Sequence, residues 1–118
     1  MLIFRSLSHL QLSKIYNLCD VYIQPSLYES FSLTVLEALA CGKVVVASKV
    51  GGIPEFLRNE KNGFLVSPKP KEFISKILEI LEGNKNLERI KRNALLTAKE
   101  FSWEVVAKKT LRLFKSIL

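Results

Sequence analysis

The run Val44-Val45-Val46-Ala47 shows no alternation of apolar and polar residues. An unbroken apolar strand is consistent with a central position in a parallel sheet, covered on both faces. Parallel neighbours need crossover connections, and helical patterns lie on both sides of this run. Strands separated by helices imply right-handed crossovers, so the expected fold class is α/β, with a parallel sheet of about four strands. In such sheets, ligands sit outside the carboxyl ends of the strands.

The rest of the chain fits this frame. Leu2 to Phe4 is a short apolar run that reads as a first strand, with Arg5 to Leu7 as the loop leaving it. Ser8 and Gln11 have the spacing of a capping box, and Leu12, Ile15, Tyr16 and Cys19 form one apolar stripe at helical spacing. Val21 to Gln24 reads as a strand stopped by Pro25. Ser30 or Ser32 can cap a helix running to about Cys41, with Leu33, Leu36 and Leu39 or Ala40 facing inward and Gly42 closing it. Gly51 and Gly52 turn the chain, Pro54 suits the first turn of a short helix, Asn62-Gly63 is a strong turn signal, and Phe64 to Val66 is another strand.

After Pro70 the pattern is helical. Phe73, Ile74, Ile77, Leu78 and Leu81 form a stripe ending at Gly83-Asn84. Leu87, Ile90, Ala94 and Ala98 form a second stripe, and Trp103, Val106, Ala107, Thr110, Leu111, Phe114 and Ile117 a third. Lys108, Lys109, Arg112 and Lys115 lie opposite this last stripe. The ordinary reading of that helix is core packing with a solvated basic face; peripheral contact with an anionic membrane is the alternative.

Two carboxylates, Glu29 and Glu37, stand eight positions apart around a Ser-Phe-Ser loop and a helix start. The exposed amides and macrodipole of a helix start favour phosphate oxygens, and carboxylates beside them accept hydrogen bonds from sugar hydroxyls. Each feature also has an ordinary reading. Thr34-x-x-Glu37 is itself a capping box, Glu29 can be an exposed loop carboxylate, and glycines after a strand are commonly turn residues.

The stretch Glu29-Ser-Phe-Ser-Leu-Thr-Val-Leu-Glu37, followed by Ala38 to Gly42, a Val-rich strand and Gly51-Gly52-Ile53-Pro54-Glu55, resembles the signature of retaining glycosyltransferases with the GT-B fold, of the group 1 type. The segments Ile15 to Ser26, NGFLVSP and FSWEVVAKK are similar to further landmarks of that family. The resemblance covers nearly the whole chain, yet only about a third of such an enzyme, given ~100 to 200 residues per domain. It implies a Rossmann-like three-layer domain, residues 1–118, with helices on both sheet faces and a helical C-terminal section: half of a GT-B fold. In a GT-B enzyme a first Rossmann-like domain makes most acceptor contacts and a second makes most donor contacts. This chain matches the latter part of the second.

The resemblance also implies roles. Glu37 accepts hydrogen bonds from ribose hydroxyls of the donor nucleotide. Glu29 takes the position often discussed as catalytic, although front-face departure of the nucleotide needs no protein nucleophile there, so it is read as positioning the sugar. Ser30, Phe31, Ser32, Leu33 and Thr34 contribute backbone amides, and Gly51 and Gly52 allow close backbone approach. Arg5, with Ser6 and Leu7, borders the nucleotide base. The family usually has Gly where Ser32 stands, and a Cβ there bears on the donor sugar or its orientation. Lys43 replaces a family proline and reads as a solvated strand entrance, and Glu55 as a charge on the short helix.

Composition excludes several other classes. At 118 residues the chain is one domain, large enough to bury roughly two thirds of its unfolded surface. The net charge of +7 suits an anionic partner, but no aromatic residues interleave with a basic strand face and no nucleic-acid motif is present. Cys19 and Cys41 lack metal-ligand spacing and read as buried, reduced thiols, which fits a cytoplasmic setting. His9, the single histidine, lies in a first helical turn, where a surface or capping role is expected, and no nucleophilic triad is present.

No metal or other cofactor is expected; the expected ligand is a UDP-, GDP- or ADP-linked sugar. The segment where the family places an Arg and a Lys on the donor phosphates precedes the matched part, so the 118 residues alone are expected to be inactive. Two readings follow: the donor-binding part of a sugar-transferring enzyme, and a non-enzymatic nucleotide-binding module or a partner subunit completed in trans by the missing N-terminal domain. An uncovered sheet edge and apolar patch also lead to an expectation of self-association.

Overall fold

A computed structural model describes residues 1–83 and 86–118. Six helices and three strands follow in the order α1 (His9–Leu18), β1 (Val21–Gln24), α2 (Leu33–Ala40), β2 (Val44–Ser48), α3 (Ile53–Phe56), β3 (Phe64–Val66), α4 (Pro70–Leu81), α5 (Leu87–Glu100) and α6 (Trp103–Ile117) among the described residues. The strands form one parallel sheet in the order β1-β2-β3. Val21 lies opposite Val44, and Val46 opposite Phe64.

The unalternating strand is central, and every residue of β2 is buried. Val45 and Ala47 join Val35, Ala38 and Leu39 of α2, Ile53 and Phe56 of α3 and Ala94 of α5 in one apolar cluster. Val44 and Val46 join Phe64 and Val66 of β3, Phe73 and Ile80 of α4 and Ile90 of α5 in the other. Successive side chains of a strand point to opposite faces, so a run with no polar position is what two covered faces require. This is the three-layer α/β architecture.

The sheet has three strands rather than about four. Leu2, Ile3 and Phe4 pair with no described strand and stay exposed. β3 is as short, but it pairs with the buried β2 along its whole length, whereas Leu2 to Phe4 have no such neighbour to offset the roughly 1–2 kcal/mol that ordering each residue costs.

Three helix faces also differ from expectation. On α2 the buried residues are Val35, Leu36, Ala38 and Leu39, so of the two alternatives Leu39 faces inward and Ala40 does not, whereas Leu33 (54% exposed), expected inward, faces outward. The helix packs on both the sheet and α5, so its buried arc is wide and rotated. On α4, Phe73 and Ile80 are buried and Ile77 partly so, while Ile74, Leu78 and Leu81 are exposed. The expected stop of that stripe at Gly83-Asn84 includes Asn84, which lies outside the described residues. Finally, α6 buries none of its residues. Both faces of the three-stranded sheet are already covered, so its stripe does not enter the core.

The turns carry the expected chemistry in part. Ser8 and Gln11 form the reciprocal capping box of α1, at 2.9 and 3.3 Å. Ser32 occupies the N-cap position of α2 with φ +72° and makes no side-chain capping bond.

Candidate functional site

The loops that leave the carboxyl ends of β1 and β2 meet backbone to backbone. The Gly52 amide donates to the carbonyls of Glu29, at 3.3 Å, and Ser30, at 3.1 Å. A Cβ on Gly51 would lie 1.5 Å from the Glu29 carbonyl oxygen, and one on Gly52 would lie 2.3 Å from that of Ser30. Residues carrying side chains cannot make this approach, so the two glycines do more here than turn the chain. Phe31 fastens the loop from below, its ring 5.1 Å from Phe56 and 6.0 Å from Phe101.

Glu29, Ser30, Phe31, Ser32, Leu33 and Thr34 together line a shallow cleft of about 500 Å³ at the start of α2. Glu29 is half-buried, and Ser30, Leu33 and Thr34 are exposed. The first amides of a helix have no partner within the helix, and the macrodipole places partial positive charge there. Ser32 leaves its cap bond unmade because its hydroxyl pairs with Thr34 Oγ1 at 3.2 Å. Thr34 Oγ1 in turn donates to Gln24 Oε1, at 3.3 Å, at the end of β1.

Glu37 stands one turn further along α2 and lines an adjoining apolar groove of about 590 Å³ with Phe31, Leu33, Phe101 and Trp103. The Thr34-x-x-Glu37 capping box does not form, because the N-cap is Ser32 and Thr34 already lies inside the helix. Instead Tyr16 Oη donates to Glu37 Oε2 at 3.0 Å. His9 Nδ1 lies 4.0 Å from Glu37 Oε1 on an exposed side chain. Burial and the bond to Glu37 raise the Tyr16 pKa above its ordinary value, so the phenol stays protonated and a donor. Burial likewise raises that of Tyr22, which packs edge-on against Tyr16.

Other sequence candidates lie elsewhere. Arg5 is exposed on the segment before α1. Phe4 and Leu7 of that segment line a separate cleft beside β1 with Tyr16, Tyr22 and Thr34. Lys43 Nζ donates to the Asn17 carbonyl at 3.0 Å, closing the end of α1 near the amino ends of the strands and away from the two carboxylates. Cys19 and Cys41 are free and half-buried rather than buried. Burial raises the Cys41 pKa, keeping it a thiol.

The sequence reading placed Tyr16 in an apolar stripe and so missed that its hydroxyl meets Glu37; His9 is on the surface as expected, within 4.0 Å of the same carboxylate. A signal for Tyr16 was available: a tyrosine on a buried stripe needs a partner for its hydroxyl.

The family model for glycosyl transferases group 1 matches residues 2–97. A D-inositol 3-phosphate glycosyltransferase of Segniliparus rotundus is 38% identical over 109 residues, covering 92% of this chain and 24% of that protein. Among solved structures, sucrose-phosphate synthase from Thermosynechococcus elongatus superposes with a TM-score of 0.85 at 31% identity, covering 94% of this chain and 28% of that one. Anabaena Alr3699/HepE in complex with UDP-glucose superposes with a TM-score of 0.75 at 28% identity, covering 98% and 31%. The chain thus spans about a quarter of the length of the curated relatives it matches.

Proposed function

This chain belongs to the glycosyl transferases group 1 family, with its GT-B fold, and we propose that it forms the part of such an enzyme that binds the donor nucleotide sugar. The observation that carries the reading is the junction of the Glu29 and Gly51 loops outside the carboxyl ends of adjacent parallel strands, with a helix start and two carboxylates beside it. Open α/β sheets bind ligands at this place. The likeness to a protein solved with UDP-glucose supports the same reading.

In this proposal the amides of Ser30 to Thr34 face the diphosphate, and the Gly51-Gly52 backbone supports them by holding the Glu29 loop. Glu37 accepts hydrogen bonds from ribose hydroxyls, and Glu29 positions the transferred sugar. Transfer proceeds with retention through front-face departure of the nucleotide, and the reading invokes no metal ion and no protein nucleophile. Stabilising the departing diphosphate calls for cations that the family places outside the matched stretch, so the 118 residues by themselves transfer no sugar.

Calorimetric titration of the chain with UDP, GDP, ADP and their sugar conjugates tests the donor site. Saturable binding with preference for one base is expected. Glu37→Ala removes hydrogen bonds to a charged group worth about 1.5–3 kcal/mol, so affinity should fall roughly 10- to 100-fold. Absence of binding by every nucleotide would overturn the donor-site reading in favour of a scaffold without ligand. A second expected result concerns turnover: a donor panel incubated with the chain alone should release no free sugar and form no glycoside, and detectable transfer would refute the inactivity.

A further inference from the structure

Resting on the reading of Glu37 as a ribose ligand, we infer that Tyr16 is a positioning residue that holds the Glu37 carboxylate in its binding orientation. Tyr16 is 7% exposed and donates from Oη to Oε2 at 3.0 Å. That bond fixes one carboxylate oxygen and leaves the other, Oε1, towards the groove and His9. A half-exposed glutamate otherwise samples several rotamers, and a ligand that needs one of them must order the side chain on binding.

Both partners sit on elements that restrain them. Tyr16 belongs to α1, whose start is closed by the Ser8–Gln11 capping box and whose end is held by Lys43 on the Asn17 carbonyl. Cys19 Sγ donates to the Tyr16 carbonyl at 3.1 Å. The Tyr16 ring meets that of Tyr22 edge-on at 5.5 Å between centroids. Glu37 belongs to α2, which is anchored by the buried Val35, Leu36, Ala38 and Leu39. The two side chains come from positions 21 apart in sequence, so only the tertiary fold brings them together. The raised pKa of the phenol keeps the donor proton in place at any neutral or mildly alkaline pH.

The competing account is that Glu37 merely satisfies a buried hydroxyl. Tyr16→Phe separates the two, since it keeps the ring and its packing. The probes are whichever of UDP, GDP and ADP binds the unmodified chain tightest, and the 2′,3′-dideoxy counterpart of that nucleotide. Tyr16→Phe should weaken the ribonucleotide about fivefold to tenfold and leave the dideoxy nucleotide unchanged, because the latter has no hydroxyls for Glu37 to accept from. In a Glu37→Ala background, Tyr16→Phe should have no further effect on the ribonucleotide. Equal weakening of both nucleotides would make Tyr16 a structural residue only and overturn the inference. So would a ribonucleotide affinity that depends on Glu37 but not on Tyr16, and in that case the donor-site reading stands. If no nucleotide binds the unmodified chain, the donor-site reading fails and the inference falls with it.

Discussion

Replacing Gly51 with alanine is expected to destabilise the chain by about 2–5 kcal/mol, combining a left-handed conformation that costs a side-chain-bearing residue roughly 1–2 with an overpacking cost of about 1–3. Gly51 has φ +52°, and its missing Cβ would fall 1.5 Å from the Glu29 carbonyl oxygen and 2.7 Å from the Glu29 carbonyl carbon. Those are backbone atoms, so no side chain can swing away to make room. The loop can yield only by giving up the bonds from the Gly52 amide to Glu29 and Ser30. Gly83→Ala is the natural control. Gly83 also has positive φ, +78°, but among the described residues nothing lies within 4 Å of the position its Cβ would take. It should cost only about 1–2 kcal/mol, the conformational part alone. Urea denaturation of the three proteins gives the comparison; equal losses for the two variants would mean that the close approach of the loops contributes nothing. In titrations, Gly51→Ala should also lose nucleotide affinity, because it displaces the Glu29 backbone, whose carbonyl leads into Ser30.

The same contact shows what was legible in the sequence. Two glycines after a strand announce a turn, and they do so whether or not another loop presses against them. The close approach is a long-range fact with no local signature. The central strand was legible for the opposite reason: burial on both faces leaves a mark on every one of its residues, from Val44 to Ala47. The capping box of α1 was legible because it closes within four residues.

Periodicity was less informative for the helices. It gives the existence of an apolar stripe but not the direction in which the helix rolls, so Leu33 was placed inward on α2 and lies outward, and only burial decides for Leu39 over Ala40. For α6 it gave a stripe that enters no core in this chain. Leu2 to Phe4 had the composition of a strand, but a strand also needs a neighbour, and no local pattern supplies one. At the site, the carboxylates and loop residues were proposed from spacing and resemblance. The contact of Tyr16 with Glu37 was not, because it joins two helices whose separation in sequence carries no period.

Asn62→Ala should destabilise by about 3 kcal/mol or more, since removing one partner of a buried hydrogen bond costs roughly 1–3 kcal/mol and this side chain serves several. Asn62 is 4% exposed. Its Nδ2 donates to the Phe56 carbonyl at 2.8 Å and to Thr97 Oγ1 at 2.7 Å, and its Oδ1 accepts from the Arg58 amide at 2.6 Å. What reads in sequence as half of an Asn-Gly turn is therefore a clamp between the end of α3, the turn into β3 and α5. Its loss should reach the site, because the Phe56 ring packs on Phe31 in the Glu29 loop and α3 follows directly from Gly51-Gly52. Asn93→Ala is the matched control: its amide donates to the Lys61 carbonyl at 2.8 Å in an exposed setting, and its loss should cost about 1 kcal/mol or less. Thermal unfolding of both variants, read beside nucleotide titration, tests the claim. Equal small shifts in the two would show that Asn62 is a turn residue and nothing more, whereas a large shift in Asn62→Ala with weakened binding would tie the stability of the α3 corner to the geometry of the Glu29 loop.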